Sequence, residues 1–263
     1  MSDLKGTAVV TGATGGVGAL YATGLAERGY DLLLVGRRQK ALDAVAEAAK
    51  QKANIKVDTI VANLAEAKDL ARVEARISSD PAITALINNA GVASFGPFAK
   101  LSPEALDETV AVNITALTRL THAVLPGFLA RGAGSIVNVA SVLAFHSWPE
   151  FGVYNASKAY AVSFSQSLQG EVAGKGILVQ VVAPPAVDTD FWNKAGLPVS
   201  NLPAGAVMKP QQLVDAALKG LDRRESWVFP SLAEEALWDD HQKTRQALVE
   251  GLMNGALATR YAA

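Results

Sequence analysis

The chain has no cysteine, which excludes disulfides, thiolate metal sites and thiol catalysis. Histidine is scarce: His122, His146 and His241 are scattered along the sequence and make no metal-ligand pattern. Neither sign of charge is in excess. With 24 Lys and Arg against 25 Asp and Glu, nothing is set to neutralise a phosphate backbone, and nucleic-acid binding is not expected. No apolar run approaches the roughly 18 residues of a membrane span. The opening segment, residues 1–12, mixes acid and base and runs straight into a strand pattern. It lacks the charged, long-apolar, small-residue order of a signal peptide. The expectation is a cytoplasmic protein without membrane association.

What the chain does have is apolar residues. They make up 50% of its 263 positions, enough for a large core. Short runs rich in Val, Ile and Leu predict strands over residues 7–11, 31–35, 55–61, 83–88, 134–140, 178–183 and 227–230. Amphipathic stretches predict helices over 17–28, 39–52, 65–79, 103–131, 153–174 and 210–220. The strands are apolar on both faces, as in a parallel sheet covered by helices on each side. The reading is a doubly wound α/β (Rossmann) fold, a parallel sheet of about seven strands in one domain over 1–263. Residues 190–208 break the rhythm with Gly196, Pro198, Pro203 and Gly205. They make either a surface loop or a substrate lid, and their place after a strand's C-terminal end favours the lid. The tail, 231–263, reads as an amphipathic helix that packs on the core or on a neighbouring subunit.

Between the first strand and first helix stands Thr11-Gly12-Ala13-Thr14-Gly15-Gly16-Val17-Gly18. Glycines let a backbone turn tightly and approach a pyrophosphate, and the helix N-terminus presents free N–H groups to the anion. In NAD sites an acidic residue ends the second strand, about 20 residues past the glycines. Here that strand ends in Gly36-Arg37-Arg38. A guanidinium pairs bidentately with phosphate, so Arg37 and Arg38 favour a 2′-phosphate and hence NADP over NAD; the alternative is a solvated basic turn.

Tyr154 and Lys158 open a predicted helix at i and i+4, within about 6 Å on one face. Tyrosine's free pKa is about 10, and bringing it to about 7 takes roughly 4 kcal/mol. One lysine and a cationic nicotinamide could supply that. Tyr154 would then exchange a proton at neutral pH. Ser141 ends the fifth strand, where it is either a turn residue or a donor to a substrate oxygen. Asn113 lies inside the long fourth helix between apolar neighbours. It is either a buried amide bonded to backbone or the centre of a kink holding a water that links Lys158 to solvent.

In order and spacing, the TGxxxGxG turn, Asn88-Asn89-Ala90-Gly91, Asn113, Ser141 and Tyr154-x-x-x-Lys158 resemble the short-chain dehydrogenase/reductase family, over residues 5 to about 189. The resemblance implies a catalytic tetrad of Asn113, Ser141, Tyr154 and Lys158. Ser141 would position a carbonyl, Tyr154 would transfer the proton, and Lys158 would lower the phenol pKa and hold the nicotinamide ribose. It implies cofactor contacts from Gly12, Thr14, Gly16, Val17 and Gly18, and from Asn89, Ala90 and Gly91 beside the sheet. Asn63-Leu64 would meet adenine where the family usually has Asp-Leu or Asp-Val. Pro184, Val187 and Thr189 would border the nicotinamide, with Pro185 replacing the family's glycine and stiffening the backbone. Homo-oligomers, dimers or tetramers, are frequent in the family.

For substrate, Ser141, Leu143, His146, Phe151, Tyr154 and Trp192 are the candidates, with Phe95 and Phe191 adding to an apolar pocket. Each aromatic has core packing as its alternative, and His146 a polar loop. The reading is an NADP(H)-dependent oxidoreductase for a hydrophobic ketone or secondary alcohol. A catalytically silent NADP(H)-binding regulator on the same fold is the alternative. A nucleotide-sugar epimerase or dehydratase would need a larger C-terminal region than this chain has.

Overall fold

Successive side chains of a strand point to opposite faces, so a strand apolar on both must be covered twice. The chain obeys this at every central strand. In a computed structural model, residues 5–203 and 205–261 are described. Met1–Leu4 of the opening segment, Ala204 of the 190–208 segment and Ala262–Ala263 of the tail lie outside the described residues. In chain order the elements are β1 (Thr7–Thr11), α1 (Gly16–Ala26), β2 (Asp31–Gly36), α2 (Gln39–Lys52), β3 (Val57–Val61), α3 (Ala67–Ser78), β4 (Ile83–Asn88), α4 (Pro103–Val110), α5 (Leu117–Arg131) and β5 (Gly134–Val139). There follow α6 (Gly152–Glu171), β6 (Ile177–Val182), β7 (Ala186–Val187), α7 (Phe191–Lys194), β8 (Val207–Met208), α8 (Pro210–Asp222), β9 (Trp227–Val228) and α9 (Ala236–Leu252). Two compact units result, Met1–Pro230 with the sheet and Ser231–Ala263 with α9.

The seven-stranded sheet runs β3-β2-β1-β4-β5-β6-β9, all parallel. Ala8, Val10, Leu32, Leu34, Ala85, Ile87 and Val137 face one core with Leu25 of α1, Leu42 of α2 and Leu213 of α8. Their neighbours Val9, Leu33, Val35, Leu86 and Ile136 face the other, with Val73 of α3, Leu120 and Phe128 of α5 and Leu168 of α6. This is the doubly wound α/β arrangement expected. Strand order reverses between β1 and β4, and the crevice outside their carboxyl ends is where such sheets bind ligands.

The predicted 103–131 helix starts and stops for local reasons. Ser102 caps it, its hydroxyl accepting the Ala105 N–H at 3.2 Å ahead of Pro103, and Gly132 ends it with φ 65°. It is not one α-helix. A π-helical stretch, Ala111–Ala116, joins α4 to α5, with buried Asn113 inside it. The 190–208 segment also has structure: α7, a short 3₁₀ turn at Val199–Asn201, and β8, which pairs parallel with β7. Among the described residues no helix is long and apolar enough to cross a membrane, and no cluster of His, Asp and Glu is placed to hold a metal.

Candidate active site

At the switch between β1 and β4 lies a cleft of about 570 Å³. The glycine turn forms its floor. A Cβ on Gly12 would lie 2.9 Å from the Ala90 Cα, and one on Gly18 would lie 2.3 Å from the Gly12 carbonyl oxygen. Here glycine is required by close backbone approach. Gly15 and Gly16 have φ 154° and 53°, and a Cβ on Gly15 would meet nothing within 4 Å, so open space lies over the turn. No side chain caps α1 at Gly15. The first N–H groups of α1 are thus left to an anion. Gly18→Ala should lower stability by about 1–3 kcal/mol, since backbone rather than a mobile side chain must yield. Chemical denaturation checks this; an unchanged midpoint would contradict the packing.

The Asn88–Gly91 stretch anchors that turn. Asn88 lies inside the sheet, donating to Asn138 Oδ1 at 2.9 Å and Thr121 Oγ1 at 3.1 Å. Asn89 donates its amide to the Thr11 carbonyl at 3.0 Å. The Asn89 and Ala90 N–H groups both reach Thr11 Oγ1, at 3.1 and 3.0 Å. Asn89, Ala90 and Gly91 all line the cleft, as do Gly12, Thr14, Gly16, Val17 and Gly18.

Arg37, Arg38, Asn63 and Leu64 line its far end. Arg38 Nη2 donates to the Thr14 carbonyl at 3.3 Å, while Arg37 Nη1 pairs with Glu108 of α4 at 3.1 Å. Asn63 Oδ1 accepts the Ala65 N–H at 3.3 Å, which orients the residue before α3 begins.

At the other end the four candidate catalytic residues converge. Asn113 donates to the Val92 carbonyl at 2.9 Å and accepts the Val92 N–H at 2.9 Å. Its second amide hydrogen goes to Ser157 Oγ at 2.9 Å, and Ser157 in turn donates to the Tyr154 carbonyl at 2.7 Å. Asn113 therefore holds the 92 loop and the start of α6 together; of the two sequence readings, the buried amide bonded to backbone is present within a helix that also departs from α geometry. Lys158 Nζ donates to the Val139 carbonyl at 2.8 Å and sits 5.6 Å from the Tyr154 ring centroid. Ser141 Oγ accepts the Leu143 N–H at 3.1 Å, and Ser141 lines the cleft together with Tyr154.

Burial pushes the Tyr154 phenol up, and the Ser141 hydrogen bond pulls it only partly back. The expected lowering by Lys158 is not what the polypeptide alone produces. The ring is enclosed, and desolvation of a phenolate dominates. Desolvation also pushes Lys158 down, from 10.5 to about 8. At neutral pH the pair is a phenol beside an ammonium.

Tyr154 is walled by aromatics. Phe95 lies edge-on with ring centroids 5.6 Å apart, Phe191 at 5.6 Å, and Phe151 lies tilted against Phe95 at 4.2 Å. Trp192 Nε1 donates to the Val187 carbonyl at 3.0 Å, fixing α7 to β7. Pro184, Pro185, Val187 and Thr189 line the cleft, and a Cβ on Gly16 would lie 3.4 Å from Thr189 Cγ2.

The short-chain dehydrogenase family model matches residues 6–198, most of the chain. The chain belongs to the short-chain dehydrogenase family. Among solved structures, a short-chain dehydrogenase from Sphingobium yanoikuyae in complex with NADPH is 42% identical, covering 97% of this chain and 100% of that one at a TM-score of 0.93. The bulky-bulky ketone specific alcohol dehydrogenase from Comamonas testosteroni is 38% identical, covering 98% and 99% at 0.89. The human inactive hydroxysteroid dehydrogenase-like protein 1 is 37% identical over 186 residues, 70% of this chain and 56% of that protein. The chain thus spans little more than half of that relative's length.

In this short-chain dehydrogenase, Ser141, Tyr154 and Trp192 of the substrate candidates line the cleft, whereas Leu143, His146 and Phe151 do not. Leu143 and Phe151 pack in the apolar cluster around Tyr154, and His146 is exposed, edge-on to Trp148 at 5.7 Å. Sequence reasoning missed Glu108, Ser94, Asp190 and Lys194, which also line the cleft. The Asp190 carboxylate is held below its usual range, first by the paired Lys194. Nothing local marks these residues, because Glu108 meets Arg37 only through the β4–α4 topology. The Ser157 link had a signal, a serine inside the Tyr154–Lys158 spacing.

Proposed function

We propose that the chain is an NADP(H)-dependent carbonyl reductase of bulky hydrophobic ketones, with Tyr154 as the proton donor. One observation carries the reading. Tyr154 and Ser141 line the same end of the cleft, beside an apolar wall of Phe95, Phe191 and Trp192 and opposite the end that begins with two arginines. The cradle fits a dinucleotide, since the open space over Gly15 and the uncapped N-terminus of α1 suit a pyrophosphate. Arg37 and Arg38 would hold the 2′-phosphate, and Asn63 and Leu64 the adenine. Tyr154 and Lys158 would hold the nicotinamide ribose, with Pro184, Val187 and Thr189 about the nicotinamide. Bound NADPH supplies a hydride to the carbonyl carbon.

The protein's own groups supply orientation and the proton. The Leu143 N–H orients the Ser141 oxygen, and the Ser141 O–H would donate to the carbonyl oxygen. Tyr154, kept protonated by burial, gives its proton to the same oxygen as it gains charge. The neighbours' names agree: one binds NADPH and one is an alcohol dehydrogenase for bulky-bulky ketones.

The human relative's designation as inactive motivates a second reading, a silent NADP(H)-binding regulator. Both are tested by titrating the protein with NADPH and NADH, then following NADPH oxidation at about 340 nm across diaryl and other bulky ketones. Turnover supports the reductase. Tight binding without turnover on any ketone, or on any alcohol with NADP⁺, sinks it and supports the regulator.

A further inference from the structure

Arg37 follows β2, and Glu108 projects from α4 on the opposite side of the cleft mouth. Their single contact, Nη1 to Oε1 at 3.1 Å, spans residues 71 apart in sequence. Both side chains line the cleft, and with 56% and 41% of their surfaces exposed the pair is open to water and salt. Such a pair is easily opened. Arg38 is placed differently: it donates to the Thr14 carbonyl on the near side of the turn. Among the described residues, Arg37 is the one of the two guanidinium groups that is hydrogen-bonded to a carboxylate across the cleft.

The consequence depends on the ligand. A phosphate dianion approaching Arg37 shares the guanidinium with Glu108 and sits beside its negative charge. A ribose hydroxyl meets no such opposition, since it carries no charge. Resting on the NADP(H) reading, we propose that Glu108 tunes cofactor specificity. Its carboxylate competes with the 2′-phosphate for Arg37, weakening binding of the phosphorylated dinucleotide while leaving the unphosphorylated one unaffected. Arg37 and Arg38 make the preference for NADP(H), and Glu108 holds it below what two unopposed arginines would give, favouring release.

The test is equilibrium titration of the full chain with NADPH and with NADH, in wild type, Glu108→Gln, Arg37→Met and the double variant. Glutamine keeps the shape of glutamate and removes its charge. In Glu108→Gln the Kd for NADPH should fall about two- to fivefold at low salt, the range of an exposed ion pair. The gain should shrink at about 0.5 M salt. The Kd for NADH should not move, and in the Arg37→Met background the glutamine should change nothing. An unchanged or raised Kd for NADPH in Glu108→Gln overturns the inference, as does an equal shift for NADH. If wild type itself fails to bind NADPH, the cofactor reading falls and this inference with it. If wild type binds NADPH and only the glutamine effect is missing, the inference alone falls.

Discussion

Tyr154→Phe should lower kcat for ketone reduction by about a thousandfold, within the range of a lost general acid, while raising the Kd for NADPH by no more than about fivefold, the worth of one hydroxyl contact to the ribose. The two effects separate because the substitution removes one oxygen and no packing. The ring keeps its edge-on contact with Phe95 at 5.6 Å and its contact with Phe191 at 5.6 Å. What is lost is the proton that burial retains on the phenol. Ser141 keeps the Leu143 N–H as donor, so its oxygen is not orphaned, and stability should change by less than about 1 kcal/mol. Single-turnover kinetics with prebound NADPH makes the measurement. More than a tenth of wild-type activity in the phenylalanine variant would remove Tyr154 from the chemistry.

The spacing puts Tyr154 on one helix face with Lys158, and the structure has the Lys158 Nζ 5.6 Å from the Tyr154 ring centroid in the cleft that Ser141 also lines. The β1 and α2 boundaries are those read from the sequence, since their apolar periods are clean and turn residues flank them. The long fourth helix was legible only as a helix. Periodicity cannot show that Asn113 spends both ends of its amide on the Val92 backbone, a contact between segments, within a π-helical stretch. The 190–208 segment had no period to read because β8 is two residues long and owes its existence to pairing with β7. His146 shows that side-chain direction in a loop has no local signal. An aromatic-rich loop beside Ser141 argued for the pocket, yet the 3₁₀ turn at Val142–Ala144 sends Leu143 inward and leaves His146 in solvent. Glu108 needed the tertiary structure altogether.

Lys158→Met should lower kcat by about a hundredfold or more and should also change how stability depends on pH. The ammonium holds the Val139 carbonyl at 2.8 Å beneath the Tyr154 ring, so its loss removes both a positive charge and the anchor between β5 and α6. The stability effect has a definite sign. In the folded chain Lys158 titrates at about 8, pushed down from 10.5 by burial. Between those values the unfolded chain binds the extra proton, so folding becomes more favourable as pH rises through the window. Below about 8 both states carry the proton, and the folded state bears the whole cost of burying it, about 3 kcal/mol. Methionine carries no such cost, but leaves the Val139 carbonyl without its donor. Wild type should therefore gain stability on Lys158→Met as pH rises from about 8 to 10.5, with the gain complete at the upper end. Above pH 10 the buried Tyr154 phenol acts in the opposite direction, because its folded pKa is raised, and it is present in both proteins. The difference between the two denaturation midpoints isolates the lysine. A difference that stays flat across the window would mean that Lys158 is not desolvated in the folded chain. Tyr154 would then have beside it an ammonium charged well into alkaline solution, and the activity of wild type would not fall as pH passes 8.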